Sequence, residues 1–239
     1  MENNKNYVSV GDCNLYYEEY GSGKPFIMLH GNGEDCTYFA EQVKEFEKDY
    51  HIYLIDTRGH GQSERGTAPF TIRQFADDLN AFMEAKEIEK ADILGFSDGG
   101  NILLLFAGKY PEKVDRIIAN GANLDTTGIV AKVQAKIEAK YEQYCRDAEE
   151  NPEDEKAVKN MEMFNLMVND PNISQEDLDL IKAPTLVIAG SKDLVVEEHS
   201  YLIGNGIKDA ETVIVEGSHF VAKENPEPFN KAVREFLAK

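Results

Sequence analysis

Residues 92–101 read Asp92-Ile93-Leu94-Gly95-Phe96-Ser97-Asp98-Gly99-Gly100-Asn101, and the reading of this stretch decides the fold. A short apolar run, 92–96, leads into a serine flanked by glycines, and a helix-length segment, 99–110, follows at once. A chain that passes from strand to helix with no spacer must turn sharply, and glycines let the backbone run close to its neighbours. The residue at the apex is then held in a strained conformation with its side chain projecting outward. Gly-x-Ser-x-Gly alone is a weak signal, because both residue types are common; its place between strand and helix gives it weight. The competing reading is an ordinary loop or a phosphate cradle at a helix N-terminus, but the full Gly-x-Gly-x-x-Gly dinucleotide spacing is absent.

Outward from this turn the pattern repeats. Short apolar runs at 26–29, 52–55, 116–119, 185–189 and 212–215 read as strands buried on both faces, with helix-length segments at 37–48, 71–86, 197–204 and 226–237 between or after them. Such alternation predicts an α/β fold, a mostly parallel sheet with helices on both faces. Runs at 7–10 and 14–20, separated by Gly11-Asp12, predict an antiparallel hairpin at the start. Between Leu124 and Lys182 no strand is evident, whereas Val130, Val133, Ile137, Tyr141 and Tyr144 recur at helical spacing. A second helix is expected around 158–168, and Ser174 with Asp177 resembles a capping box for a third. A crossover needs only one helix, so 124–182 reads as an inserted helical cap dividing a core made of 1–123 and 183–239.

Composition narrows the function. The 239 residues carry a formal net charge of -19, which would repel a phosphate backbone, so nucleic acid is not an expected partner. Three cysteines, Cys13, Cys36 and Cys145, are odd in number and lack metal-ligand spacing; neither a disulfide framework nor a metal site is expected. The opening Met1 to Asn6 has no apolar signal region and no run suits a membrane helix, so the expectation is a cytoplasmic protein with no membrane partner. Oligomeric state is not legible.

Serine at neutral pH is a poor nucleophile without a base, and the chain has five histidines. His51 begins a strand, His30 precedes a glycine-rich loop, His60 lies in a Gly-rich turn, and His199 sits at an expected exposed helix start. Only His219 follows the last core strand, where a loop could carry it over Ser97. The carboxylate that would orient it should end a parallel strand; Asp193, after 185–189, fits, and Asp125 is the runner-up. Ser97, Asp193, His219 also gives the chain order expected of such a catalytic set. An oxyanion would need backbone donors: the residue after the serine, Asp98, and Asn32 in the loop His30-Gly31-Asn32-Gly33. Phe96, Asp98 and Phe220 flank the catalytic candidates and are expected to contact substrate, while Met161, Met163, Phe164 and Met167 offer a pocket lining from the cap.

With these residues in place, the sequence resembles the α/β-hydrolase superfamily along essentially its whole length. The segment Asp56-Thr57-Arg58-Gly59-His60-Gly61-Gln62-Ser63 also resembles a stretch common in cap-bearing members, where its role is structural. Serine at position 97 argues against the dehalogenase and epoxide hydrolase branches, which the resemblance would give an aspartate, and the proline iminopeptidase form of the turn is missing. The resemblance implies a cofactor-free serine hydrolase acting on a small carboxylic ester through an acyl-enzyme. Thioester hydrolysis, carbon-carbon bond cleavage next to a ketone and, from a different class, an idle ligand-binding pocket remain open.

Overall fold

The computed structural model describes residues 6–239; the opening Met1 to Lys5, read above as lacking a signal region, lies outside them. Eight strands form one sheet: β1 (Tyr7–Ser9), β2 (Asn14–Gly21), β3 (Lys24–Leu29), β4 (Tyr50–Ile55), β5 (Ala91–Phe96), β6 (Val114–Asn120), β7 (Thr185–Lys192) and β8 (Ala210–Ser218). Their order is β1-β2-β4-β3-β5-β6-β7-β8. The first two strands pair antiparallel, as the hairpin reading predicts, and β2 runs antiparallel to β4. From β4 to β8 every pairing is parallel.

Period-two alternation explains why both faces are covered. In β3, Ile27 and Leu29 face one core, where they meet Phe75, Leu79 and Phe82 of α2 (Ile72–Ala85) and Ile102 to Phe106 of α3 (Asp98–Lys109). Phe26 and Met28 face the other, with Val43 and Phe46 of α1 (Ala40–Phe46) and Phe229, Val233 and Phe236 of the last helix (Pro226–Leu237). Helix α2 starts where Thr71 accepts a hydrogen bond from the Gln74 N–H. The run expected at 212–215 extends to the nine residues of β8 and is half-buried, because β8 is an edge strand with one partner.

Between β6 and β7 lie a 3-10 turn (Thr126–Gly128) and three helices, α4 (Ala131–Glu150), α5 (Glu155–Asn169) and α6 (Gln175–Asp179). The first two pack on each other. The third carries the Ser174–Asp177 capping box and tucks its Leu178 into the sheet's own core against α3 and α7 (Glu197–Gly206). His199, expected at an exposed helix start, is instead 5% exposed, because the first turn of α7 faces the loop at Gly128.

The 56–63 loop is organised by buried polar contacts. Asp56 accepts from the Cys36 and Gln62 N–H groups, both at 2.7 Å. The Arg58 side chain, fully buried, donates to both oxygens of Asp78 at 2.7 and 2.8 Å and is also paired with Asp12. Arg58→Met should therefore destabilise the fold by about 3–5 kcal/mol, since it strands a buried carboxylate without its partner. Urea unfolding would measure this; a loss under about 1 kcal/mol would mean that the pair contributes only as a surface ion pair does.

Candidate active site

The candidate site forms where the sheet changes direction of growth. Strand β3 is followed in sequence by β4 on one side and bordered by β5 on the other, so the segments leaving β3 and β5 diverge and leave a crevice at the strands' C-terminal ends. Ser97 stands at the apex of the turn from β5 to α3 with φ 52° and ψ -117°, a conformation uncommon outside glycine. It is held by its N–H donating to the Asn120 carbonyl at 2.8 Å and its carbonyl accepting from the Asn101 N–H at 3.0 Å. A methyl group at Gly95 would strike the Gly99 carbonyl, and one at Gly99 would strike the Leu29 carbonyl, which accounts for both glycines of the motif.

Two other strand ends bring Asp193 and His219 to Ser97. After β7, Asp193 is fixed by its Oδ1 accepting from the Val195 N–H at 2.9 Å and its Oδ2 from the Gly190 N–H at 3.3 Å. After β8, His219 places Nδ1 at 2.6 Å from Asp193 Oδ1 and Nε2 at 3.0 Å from Ser97 Oγ. The Phe96 ring, stacked on Tyr38 with centroids 4.2 Å apart, lies 4.8 Å from the imidazole and limits its tilt. Gly121, which the sequence reading does not single out, makes room for the pair, since a Cβ there would lie 2.9 Å from the imidazole. Asp125, the runner-up, does something else: its carboxylate caps the 3-10 turn by accepting from the Thr127 N–H at 2.7 Å.

The loop after β3 completes the crevice. His30 is buried, with Nδ1 2.7 Å from the Gly31 carbonyl and Nε2 accepting from the Thr57 N–H at 3.0 Å, a pattern that requires the neutral ring. Burial also lowers its pKa. The backbone N–H groups of Asn32 and Asp98 have no acceptor among the described residues, and both residues border the same cavity as Ser97. That cavity measures about 140 Å³. Phe96, Met167 and Phe220 line it; so do Glu34, Asn123, Ile137 and Asp170, which the sequence reading does not place at the site. Phe164 is a correction. Its ring packs on Tyr144 of α4 at 4.9 Å, with the Lys140 ammonium over its face, so the ring faces α4. The spacing that puts Met167 on the cavity turns Phe164 toward α4.

A sequence model of the α/β-hydrolase fold matches residues 24–134. The human serine hydrolase BPHL is 28% identical, the match covering 96% of this chain and 85% of that protein. Among solved structures, Est816, described as an N-acyl homoserine lactone degrading enzyme, superposes with a TM-score of 0.79 at 26% identity over 97% of this chain and 100% of its own. The meta-cleavage product hydrolase CumD of Pseudomonas fluorescens gives 0.78 at 25% identity, covering 97% and 96% of the two chains. The chain has the α/β-hydrolase fold, and the proteins it is similar to are hydrolases of that fold. It is a hydrolytic enzyme of that fold, and among its described residues no helix is long and apolar enough to cross a membrane.

Electrostatically the cavity of this α/β-hydrolase is acidic, with Glu34, Asp98 and Asp170 on its walls and no lysine or arginine among the described lining residues. Burial pushes the Asp98 carboxyl up to about 6 against the hydrogen bond from Asn32, and the Asp170 charge adds to the rise. Burial likewise raises Asp170 and Glu34. A raised carboxyl pKa means that ionising Asp98 opposes folding at pH above about 6. The penalty fades as pH falls through that value and is gone below the ordinary aspartate range. Asp98→Asn should accordingly stabilise the protein at pH 8, by an amount on the order of 3 kcal/mol, and give no gain at pH 3.5. Denaturant titrations of both proteins at the two pH values would check this; an equal gain at each pH would show that ionisation is not its source.

Proposed function

We propose that the protein hydrolyses small carboxylic esters through an acyl-enzyme formed on Ser97. The observation that carries this reading is the unbroken pair of hydrogen bonds from Ser97 Oγ through His219 to Asp193, 3.0 and 2.6 Å long. Ser97 Oγ attacks the ester carbonyl while His219 Nε2 takes its proton. Asp193 holds the imidazole in the tautomer that leaves Nε2 free to accept, and stabilises the imidazolium. The free N–H groups of Asn32 and Asp98 receive the negative charge on the carbonyl oxygen. His219 then returns the proton to the departing alkoxide, and water repeats the sequence to release the acid. Helices α4 and α5 act as a cap that keeps bulk water from the acyl-enzyme.

Cavity size favours a short acyl group. Engineered apolar cavities of about 150 Å³ hold one benzene ring, so a space of this volume suits an acyl chain of about six carbons or fewer. A cyclic ester is within the same chemistry, and the likeness to a lactone-degrading enzyme supports including lactones among the substrates tested. Acidic walls disfavour a substrate carrying its own carboxylate beside the scissile bond.

Ser97→Ala should fold normally and lose at least roughly a thousandfold in kcat toward p-nitrophenyl acetate, and a fluorophosphonate probe should label the parent but not the variant. Near-normal turnover by the variant would sink the mechanism. Met167→Ala should move the preferred p-nitrophenyl ester toward longer chains, each added methylene contact being worth about 1 kcal/mol in kcat/KM. Phe164→Ala should leave that preference in place. A shift in both variants would mean that the α4–α5 packing, not the wall residue, sets acyl length.

A further inference from the structure

The two groups assigned above to the oxyanion are main-chain N–H groups, so that role demands nothing of the side chains of Asn32 and Asp98. Those side chains are nevertheless joined. Asn32 Nδ2 donates to Asp98 Oδ2 at 2.9 Å and to the Met163 carbonyl of α5 at 2.9 Å. We propose that Asn32 is a positioning residue whose carboxamide, by gripping Asp98 and the Met163 carbonyl at once, sets the spacing of the two oxyanion donors and makes the docking of α5 part of transition-state stabilisation. The proposal rests on the serine hydrolase reading.

A primary amide carries two N–H bonds in one plane, about 120° apart. With both committed to acceptors on different elements, the plane of the carboxamide is fixed, and through it the loop that presents the Asn32 N–H. One acceptor belongs to the residue that supplies the second donor, so the side-chain bond spans the gap across which the oxyanion must sit. Above about pH 6 Asp98 is ionised and the bond is charge-assisted. The other acceptor is a helix carbonyl using its second lone pair, and α5 is itself held at two further points. Glu162 takes both ends of the Arg65 guanidinium at 2.6 and 2.8 Å, and Asp170 Oδ2 accepts from the Ile72 N–H at 2.9 Å. Any movement of α5 off the core therefore releases Asn32 from one of its two anchors.

A hydrogen bond that merely holds the cap in place would affect substrate binding and stability. One that positions the oxyanion donors acts on the transition state and leaves ground-state binding alone. The test measures kcat and KM for p-nitrophenyl acetate and Ki for a trifluoromethyl ketone, whose adduct places an oxyanion at the same spot, in the parent, Asn32→Ala, Asp98→Ala, Asp98→Asn and the double alanine variant. Asn32→Ala should lower kcat by roughly 30-fold, with KM changed by less than about threefold and Ki raised in step with the fall in kcat. Asp98→Ala should do the same, which keeps the test decisive should Asn32→Ala not fold. Asp98→Asn, whose amide oxygen still accepts, should stay within about fivefold of the parent, and the double variant should be no worse than the poorer single one. Unchanged kcat in either alanine variant, a rise confined to KM, or additive losses in the double variant would overturn the clamp. Fluorophosphonate labelling of the parent separates the two readings: an unlabelled parent sinks the serine mechanism, whereas a labelled parent with unaffected alanine variants sinks only the clamp.

Discussion

The close approach of three backbone segments at the turn after β5 is the constraint on which the rest of the site depends. Gly95, Gly99 and the end of β3 at Leu29 are packed so tightly that a single methyl group on either glycine would overlap a main-chain carbonyl. This contact forces Ser97 into the left-handed region, and a strained turn of that kind persists only where the surroundings over-determine it. Here they do. Bonds to Asn120 and Asn101 hold the main chain from either side, and β5 is flanked by β3 and β6 along its length. The strain is thus balanced by ordinary sheet and helix hydrogen bonding, and among the described residues it leaves the serine hydroxyl with His219 as its hydrogen-bond partner.

Burying charge beside that turn adds a second tension. Asp98 and Asp170 sit in a cavity without a basic side chain among its described walls, and burial opposes the ionised form of each. His30 and His60 nearby are kept neutral by the same means, His60 down to about 3. Neutral His30 donates through Nδ1 to the Gly31 carbonyl and accepts through Nε2 from the Thr57 N–H, so the segment presenting Asn32 is tied to the Asp56–Ser63 loop behind it. That loop is in turn pinned by Asp56 and the buried Arg58. A run of hydrogen bonds from Asp12 through Arg58, His60 and Thr57 to His30 ties this loop to the crevice.

Most of this frame is legible in the sequence, for reasons that can be named. Strands buried on both faces leave continuous apolar runs, and residues at their C-terminal ends converge on one edge of the sheet whatever the loops do, which is why Ser97, Asp193 and His219 can be read together from position alone. Less legible are features that depend on side-chain direction across elements. Phe164 and Met167 lie three residues apart on one helix, near enough in angle that periodicity does not say which faces the crevice and which faces α4. His199 opens a helix in the sequence, as an exposed residue would, and only the fold of the Thr126–Gly128 turn over it makes it buried. Asp170 reads as a residue before proline that ends a helix; that it also lines the cavity and receives the Ile72 N–H follows from where α5 lands.

The division of labour between sheet and insertion follows from these contacts. Groups assigned to the proton relay all stand on strand ends, where the sheet fixes their separation, and none of their hydrogen bonds involves α4 or α5. The segment between β6 and β7 touches the crevice at the loop after β3, through the Met163 carbonyl, and at the cavity wall, through Ile137 and Met167. An inserted segment tied in this way can diverge in sequence and reshape the pocket while the relay stays intact. Any divergence that moves α5 along its axis still encounters one main-chain requirement, a carbonyl at the position of Met163 to take the second Asn32 hydrogen. A main-chain acceptor meets that requirement for almost any side chain, so the sequence of α5 is left free to vary around the cavity.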